Sequence, residues 1–286
     1  MEIVNADLHN HFRTRTGEPF NVRYMDRILQ SISKNIGRGS LIGLVNMVGR
    51  EGDDRNFERF SQAISRSGIG VVKRRSGVIY VPNYDIAFVK GFEVATNIGH
   101  VLSMGVPDDL KLESSLTWQE IYRRVRDVGG ANVIPHPYHF LEGVIKKLID
   151  LGRKEEIGEM LRTSDAWEAL NGEAKLFFNP NGDAIEAHKR LKREDYSLGC
   201  IGVSDGHSYS EAGVVYTRLG MPKAVSELID NGSMGPAICE AVRASRVEDI
   251  VCQSELVPII GATKHAIEIL IHQIAHKSRQ RDLTTI

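Results

Sequence analysis

Short apolar runs alternate with amphipathic stretches along most of this chain, and that alternation leaves few folds open. Ile3–Leu8, Leu41–Val45, Ile86–Glu93, Val101–Gly105, Val133-Ile134, Ala166–Leu170, Ile201–Ser204 and Val214–Leu219 read as strands. Val22–Ile36, Asn56–Ser67, Val144–Leu151, Glu155–Leu161 and Ala184–Leu191 have helical spacing. Thr117-Trp118-Gln119-Glu120 has the spacing of a capping box and opens a further helix that stops at Gly129-Gly130. Arg74-Arg75-Ser76-Gly77 reads as a hairpin tip. Strands followed by helices predict a mainly parallel sheet, open or closed into a barrel.

Five of these runs end, or in one case begin, with side chains that bind metal ions. Asp7-Leu8-His9-Asn10-His11 closes the first; residues two apart in an extended chain point the same way, so His9 and His11 can face one ion. The others are Gly91-Phe92-Glu93, Gly99-His100-Val101-Leu102, Ile134-Pro135-His136-Pro137 and Ser204-Asp205-Gly206-His207. Active sites of barrels and open α/β sheets gather at the carboxyl edge of the strands. Only His100 precedes its strand. The five imidazoles and two carboxylates are enough for more than one transition metal, and suit manganese, zinc and iron alike.

In this order, the five segments resemble the polymerase and histidinol phosphatase (PHP) family, over roughly residues 3 to 220. The resemblance implies a distorted (β/α)7 barrel with metal-dependent phosphoesterase activity. Residues 1–221 would form the barrel domain and 222–286 a helical C-terminal extension packed on it. It also implies one divalent ion on His9, His11, Glu93 and Asp205, and a second on His100 and His136 with Glu93 bridging. Two such ions share a hydroxide and steady both the attacking and the leaving oxygen.

Two departures bear on a third ion. The acidic or histidine ligand that the family places five or six residues past His-x-His is missing, and Asn46 and Met47 stand where it has an Asp-His pair. The expectation is a two-ion site with His207 as a general acid or phosphate contact; Glu18, Asp53 or Asp54 rebuilding a third site is the alternative. Arg13 and Arg15 follow His-x-His and can give fork-shaped contacts to phosphate, with Arg50 a weaker candidate. Asp7 either orients a ligand imidazole or caps a turn, and Glu168 is either a site residue or an ordinary rim contact. His139 is expected at the surface, Arg74 and Arg75 in solvent, and Cys200 buried.

Composition narrows the function. Lys and Arg number 36 against 37 Asp and Glu, a formal net charge of −1. That balance predicts a small phosphorylated substrate (a phosphomonoester, nucleotide or short oligonucleotide) rather than long nucleic acid. No signal peptide or membrane span is visible, and the three cysteines form no pair, so a cytoplasmic protein is expected. Ile260, Ile267, Ile271 and Ile274 make an apolar helical stripe for the barrel or a second subunit, and His265, His272 and His276 share one face of the same helix. A C–N-cleaving amidohydrolase and a non-catalytic regulatory PHP module are the competing readings.

Overall fold

The computed structural model describes residues 1–12, 20–49, 54–69, 73–139, 142–172, 180–193 and 197–253. In chain order the elements are β1 (Glu2–Asp7), α1 (Val22–Asn35), β2 (Ser40–Val48), α2 (Asn56–Arg66), β3 (Lys73–Arg75), β4 (Val78–Val81), β5 (Ile86–Thr96), β6 (Gly99–Met104) and α3 (Trp118–Asp127). Then come β7 (Ala131–Ile134), α4 (Val144–Asp150), α5 (Lys154–Thr163), β8 (Ala166–Asn171), α6 (Pro180–Arg193), β9 (Gly199–Val203), β10 (Val215–Met221), α7 (Val225–Asn231), α8 (Met234–Ala244) and β11 (Ile250–Cys252). Eight α-helices surround one eleven-stranded sheet, counted among the described residues.

The strand order is β11-β10-β1-β2-β5-β6-β7-β8-β9, with β3 and β4 attached to β5. β1, β2 and β5 run parallel, as do β7, β8 and β9. β6 runs against both of its neighbours, and β10 runs against β1. The expected parallel sheet is therefore two parallel blocks joined through one reversed strand. The cause is local: the Thr96–Gly99 turn is too short for a crossover helix, so β5 and β6 form a hairpin.

The sheet nearly closes into a barrel, and side chains do the closing. Gly202 N–H donates to Thr217 Oγ1 (2.8 Å), whose hydroxyl donates back to Gly202 O (3.0 Å). Ser204 Oγ likewise donates to Val215 O and accepts from Val215 N–H. Asp7 accepts from Ser204 N–H and Gly213 N–H, both at 2.9 Å. His11 N–H to Gly206 O completes the seam.

Inside the cylinder lie Val4, Ala6, Leu41, Val45, Ala87 and Val89 with others of one apolar cluster, which also takes in Leu228, Ile238 and Val242 of α7 and α8. Those two helices stop the end of the barrel opposite the histidines. There Gly105, just past β6 at φ +68°, abuts the backbone of Gly235; a Cβ would lie 2.9 Å from its Cα. Outside, α3 to α6 cover one flank and α1 and α2 the other. The predicted capping box is present at α3: Thr117 and Glu120 bond each other's backbone N–H. The hairpin tip is Ser76-Gly77 alone, because Arg74 and Arg75 lie within β3. No helix among the described residues is long and apolar enough to cross a membrane. The C-terminal stripe and His265, His272 and His276 fall outside the described residues.

Candidate metal centre

The chain leaves β1 over β2 at very short range. A Cβ on Gly43 would lie 1.9 Å from the carbonyl oxygen of Leu8, so only glycine lets the backbone carrying His9 and His11 settle there. Glu93 comes up on β5. His100 begins β6, and because β6 is reversed its beginning lies on the same rim as the end of β5, with Ala95 opposite His100 in register. That removes the anomaly of a histidine preceding its strand. His136 follows β7, and Asp205 and His207 follow β9.

All six predicted ligands converge. His9 Nε2 and His11 Nε2 are 2.9 Å apart. Glu93 Oε2 lies 3.4 Å from His9 Nε2 and 2.9 Å from His11 Nε2, while Oε1 lies 2.7 Å from His100 Nδ1 and 3.1 Å from His136 Nε2. Asp205 Oδ1 is 3.5 Å from His9 Nε2 and 3.7 Å from His11 Nε2. One carboxylate thus faces two separate imidazole pairs. His9–His11–Glu93 and Glu93–His100–His136 are each compact enough to hold an ion, and so is His11–Asp205–His207. All but His207 are at most 8 % exposed, so few of these charges are compensated by water.

This set fits divalent cations on its own chemistry. The two imidazole nitrogens 2.9 Å apart can share one proton, and a cation in its place would use both lone pairs. Buried His11 Nδ1 and His136 Nδ1 have no hydrogen-bond partner among the described residues. His136 (φ 26°) and Asp205 (φ 52°) are held in the left-handed region, where only Asp85 joins them among described non-glycine residues; such strain collects at functional sites.

Electrostatics point the same way. Burial alone would depress the His9 imidazole, but Asp205, Glu168 and Glu93 hold it well above its ordinary value. His136 is likewise pressed down by burial yet raised to about 9, chiefly by Glu93. Burial acts to raise the Glu93 carboxyl, and His100 and His9 outweigh it, leaving Glu93 well below the usual range. Without cations the carboxylates thus favour protons on His9, His100 and His136, while burial holds His11 below its ordinary value; cations would supply that charge instead.

The remaining candidates sort as follows. Arg13, Arg15, Arg50, Glu18 and Asp53 lie outside the described residues, and Asp54 is exposed. Asn46 turns away from the rim to bond Glu58 of α2 and to accept from Phe57 N–H, while Met47 sits opposite Glu93 in register. The ring of His207 stacks on His11 at 5.1 Å, and its Nδ1 is tied to Asp205 O. His139 is half-buried, with 22 % of its side chain exposed. A turn from His136 O to His139 N–H folds it back beside His136, and burial with that neighbour lowers it to about 4.

Among the described residues, Asp7 accepts at its carboxylate from backbone N–H groups and not from an imidazole. It clamps the seam, and burial pushes its carboxyl up to about 6. The carboxylate that orients a ring is Glu168, whose Oε1 is 2.7 Å from His9 Nδ1. Asn171, at the end of the same strand, bonds both Glu168 and Asp205. Cys200 is buried as expected.

A distorted, nearly closed α/β barrel with a polar rim is a known architecture, and solved structures share it. PsfC from Pseudomonas syringae PB-5123 superposes with a TM-score of 0.62 at 13% identity, over 94% of this chain and 100% of that one. An Endonuclease Q complex with a 27-mer duplex substrate bearing an abasic lesion at the active site gives 0.54 at 16%, over 86% of this chain and 58% of that one. The lesion-specific endonuclease PfuEndoQ from Pyrococcus furiosus gives 0.52 at 16%, over 86% and 57%. The chain therefore spans less than three fifths of the length of these endonuclease chains, and at such identities the likeness is one of fold. No protein-family model matches the chain, and no curated protein matches it significantly.

Proposed function

We propose that this chain is a metal-dependent phosphoester hydrolase of the PHP type. The observation that carries the reading is Glu93, a buried carboxylate whose two oxygens face two different pairs of imidazoles. One ion would be held by His9, His11, Glu93 and Asp205, and a second by Glu93, His100 and His136; manganese, zinc and iron all suit these donors. Bound there, divalent ions supply a water-derived nucleophile at neutral pH and offset phosphate charge. His207 stands at the edge with Nδ1 engaged by Asp205 O, and its ring would protonate the leaving oxygen or contact phosphate. A third ion on His11, Asp205 and His207 is the competing use of that ring. Arg13 and Arg15 follow His11 closely in sequence and would grip phosphate oxygens.

The substrate is a phosphoester, and nucleic acid belongs among the candidates. Near-zero net charge spoke for a small substrate, yet an endonuclease of similar fold is known with a bound duplex, so overall charge loses its weight as an argument here. The amidohydrolase reading is weakened by Lys90, the lysine on the bridging strand. It points away from the rim and pairs with Glu58 at 2.7 Å, so no lysine on β5 takes the bridging place.

The test is cation analysis of the purified chain, then assay with manganese, zinc or iron(II) on phosphomonoesters, nucleotides, lesion-bearing duplexes and amides. Cation-dependent phosphate release or strand cleavage that chelation removes is the expected result. Tight cation binding without any turnover would favour the regulatory module, and failure to bind cations would overturn the proposal.

A further inference from the structure

Side chains three apart on a regular strand point to opposite faces. Glu168 and Asn171 do not. β8 slips its register against β9 between Glu168 and Leu170, and the extra residue of that bulge turns Asn171 to the same face as Glu168. Both residues are 1 % exposed.

Three donors converge on the Glu168 carboxylate: His9 Nδ1 on Oε1 at 2.7 Å, and His136 N–H (2.8 Å) and Asn171 Nδ2 (3.0 Å) on Oε2. The Asn171 amide also donates to Asp205 Oδ2 at 3.0 Å. Asn181 of α6 fixes the Asn171 backbone from both sides, accepting from its N–H at 2.9 Å and donating to its carbonyl at 3.0 Å. The bulge gives up regular pairing and gains a buried link to three rim residues.

We propose that Glu168 and Asn171 act as one positioning unit, tying the His9–Asp205 side of the rim to the His136 side so that both cation positions are set together. The inference rests on the metal-site reading above. Glu168 holds the proton on His9 Nδ1, which leaves Nε2 as the atom facing Glu93. Its second oxygen anchors the backbone of His136 in its left-handed turn. Asn171 fixes which oxygen of Asp205 is left for the rim.

Two variants separate this from simple packing. Glu168→Gln keeps the volume but brings an NH2 group where three donors meet. Asn171→Ala cuts the amide's links to Asp205 and Glu168 but leaves the bonds from His9 and His136 to Glu168 in place. Calorimetric titration of the full chain with Mn2+ should show Glu168→Gln weakening both positions by about 10- to 100-fold. Asn171→Ala should weaken mainly the position that includes Asp205. In the metal-free wild type, nitrogen-resolved NMR should show a proton on His9 Nδ1.

Unchanged Mn2+ affinities in Glu168→Gln would overturn the proposal, and so would a His9 with no proton on Nδ1. If the wild type takes up no cation while that proton is present, the metal reading fails and the positioning of His9 survives. Packing alone would lower the melting temperature of both variants and leave the affinities of the folded protein as they were.

Discussion

The interior of the cylinder and its histidine rim are equally buried and follow opposite rules. The interior is lined by Val4, Ala6, Val45 and Val89 and sealed below by Ile238 of α8. It is governed by volume: any apolar side chains that fill the space will serve, at modest cost. The rim is governed by valence. His9, His11, Glu93, His100, His136, Glu168 and Asp205 must each find donors, acceptors or a cation, and a change of one atom type leaves a neighbour unsatisfied. Burial alone therefore says little about which positions tolerate change; what is buried decides.

The sharpest way to break that contrast is Glu93→Ala. Cation uptake at both positions should vanish and cation-dependent hydrolysis should fall by about 100-fold or more, beyond what loss of an outer partner does. Metal analysis and product release measure it, and a variant retaining either ion would refute the bridging role. Leu41→Ala, within the apolar interior, should cost about 2–5 kcal/mol in denaturant unfolding. Leu41 pairs with Ala87, six residues along β5 from Glu93, so Mn2+ affinity of the folded fraction should hold. A large affinity loss would show that the two regions are coupled.

The seam lies between these extremes. Thr217→Val keeps the shape but strips the hydroxyl that serves Gly202 N–H and C=O, and should cost about 1–3 kcal/mol. A neutral result in urea unfolding would mean that the barrel closes without it. Smallest is Glu120→Ala at the exposed start of α3. Bonds from Thr117 hold the Glu120 carboxyl below its ordinary value. Its contribution is therefore present above the unfolded value of 4.5 and lost as pH falls through the lower folded one. Melting curves of variant and wild type should differ at neutral pH and converge in acid; a constant gap would show that charge plays no part.

Much of this was legible in one sequence. The ligating residue types sit at ends of apolar runs, and apolar runs make strands, so His9, His11, Glu93, His136 and Asp205 could be placed on a common edge. Capping at Thr117 and Glu120 was readable because it depends on four adjacent residues. The illegible features depend on partners far away in the chain. Nothing in Gly99-His100-Val101-Leu102 says that β6 pairs against both neighbours, although the short turn before it was a usable hint. Strand alternation by itself would set Asn171 on the face opposite Glu168, and only register against β9 reverses that. Asp7 beside His9 looks like a ring partner until the seam brings Ser204 and Gly213 to it. Asn46, met as a departure from a ligand pattern, proves to be a tether for α2.

The β5–β6 hairpin also bears on the order of assembly. Glu93 and His100 are seven residues apart and meet through one tight turn, whereas His9 and Glu168 meet across 159 positions. Closing a short loop loses less chain entropy than closing a long one, and hairpins form within microseconds. The half of the cluster built on Glu93 and His100 can thus come together locally, early in folding, while the half built on β1 must wait for the two ends of the sheet to find each other.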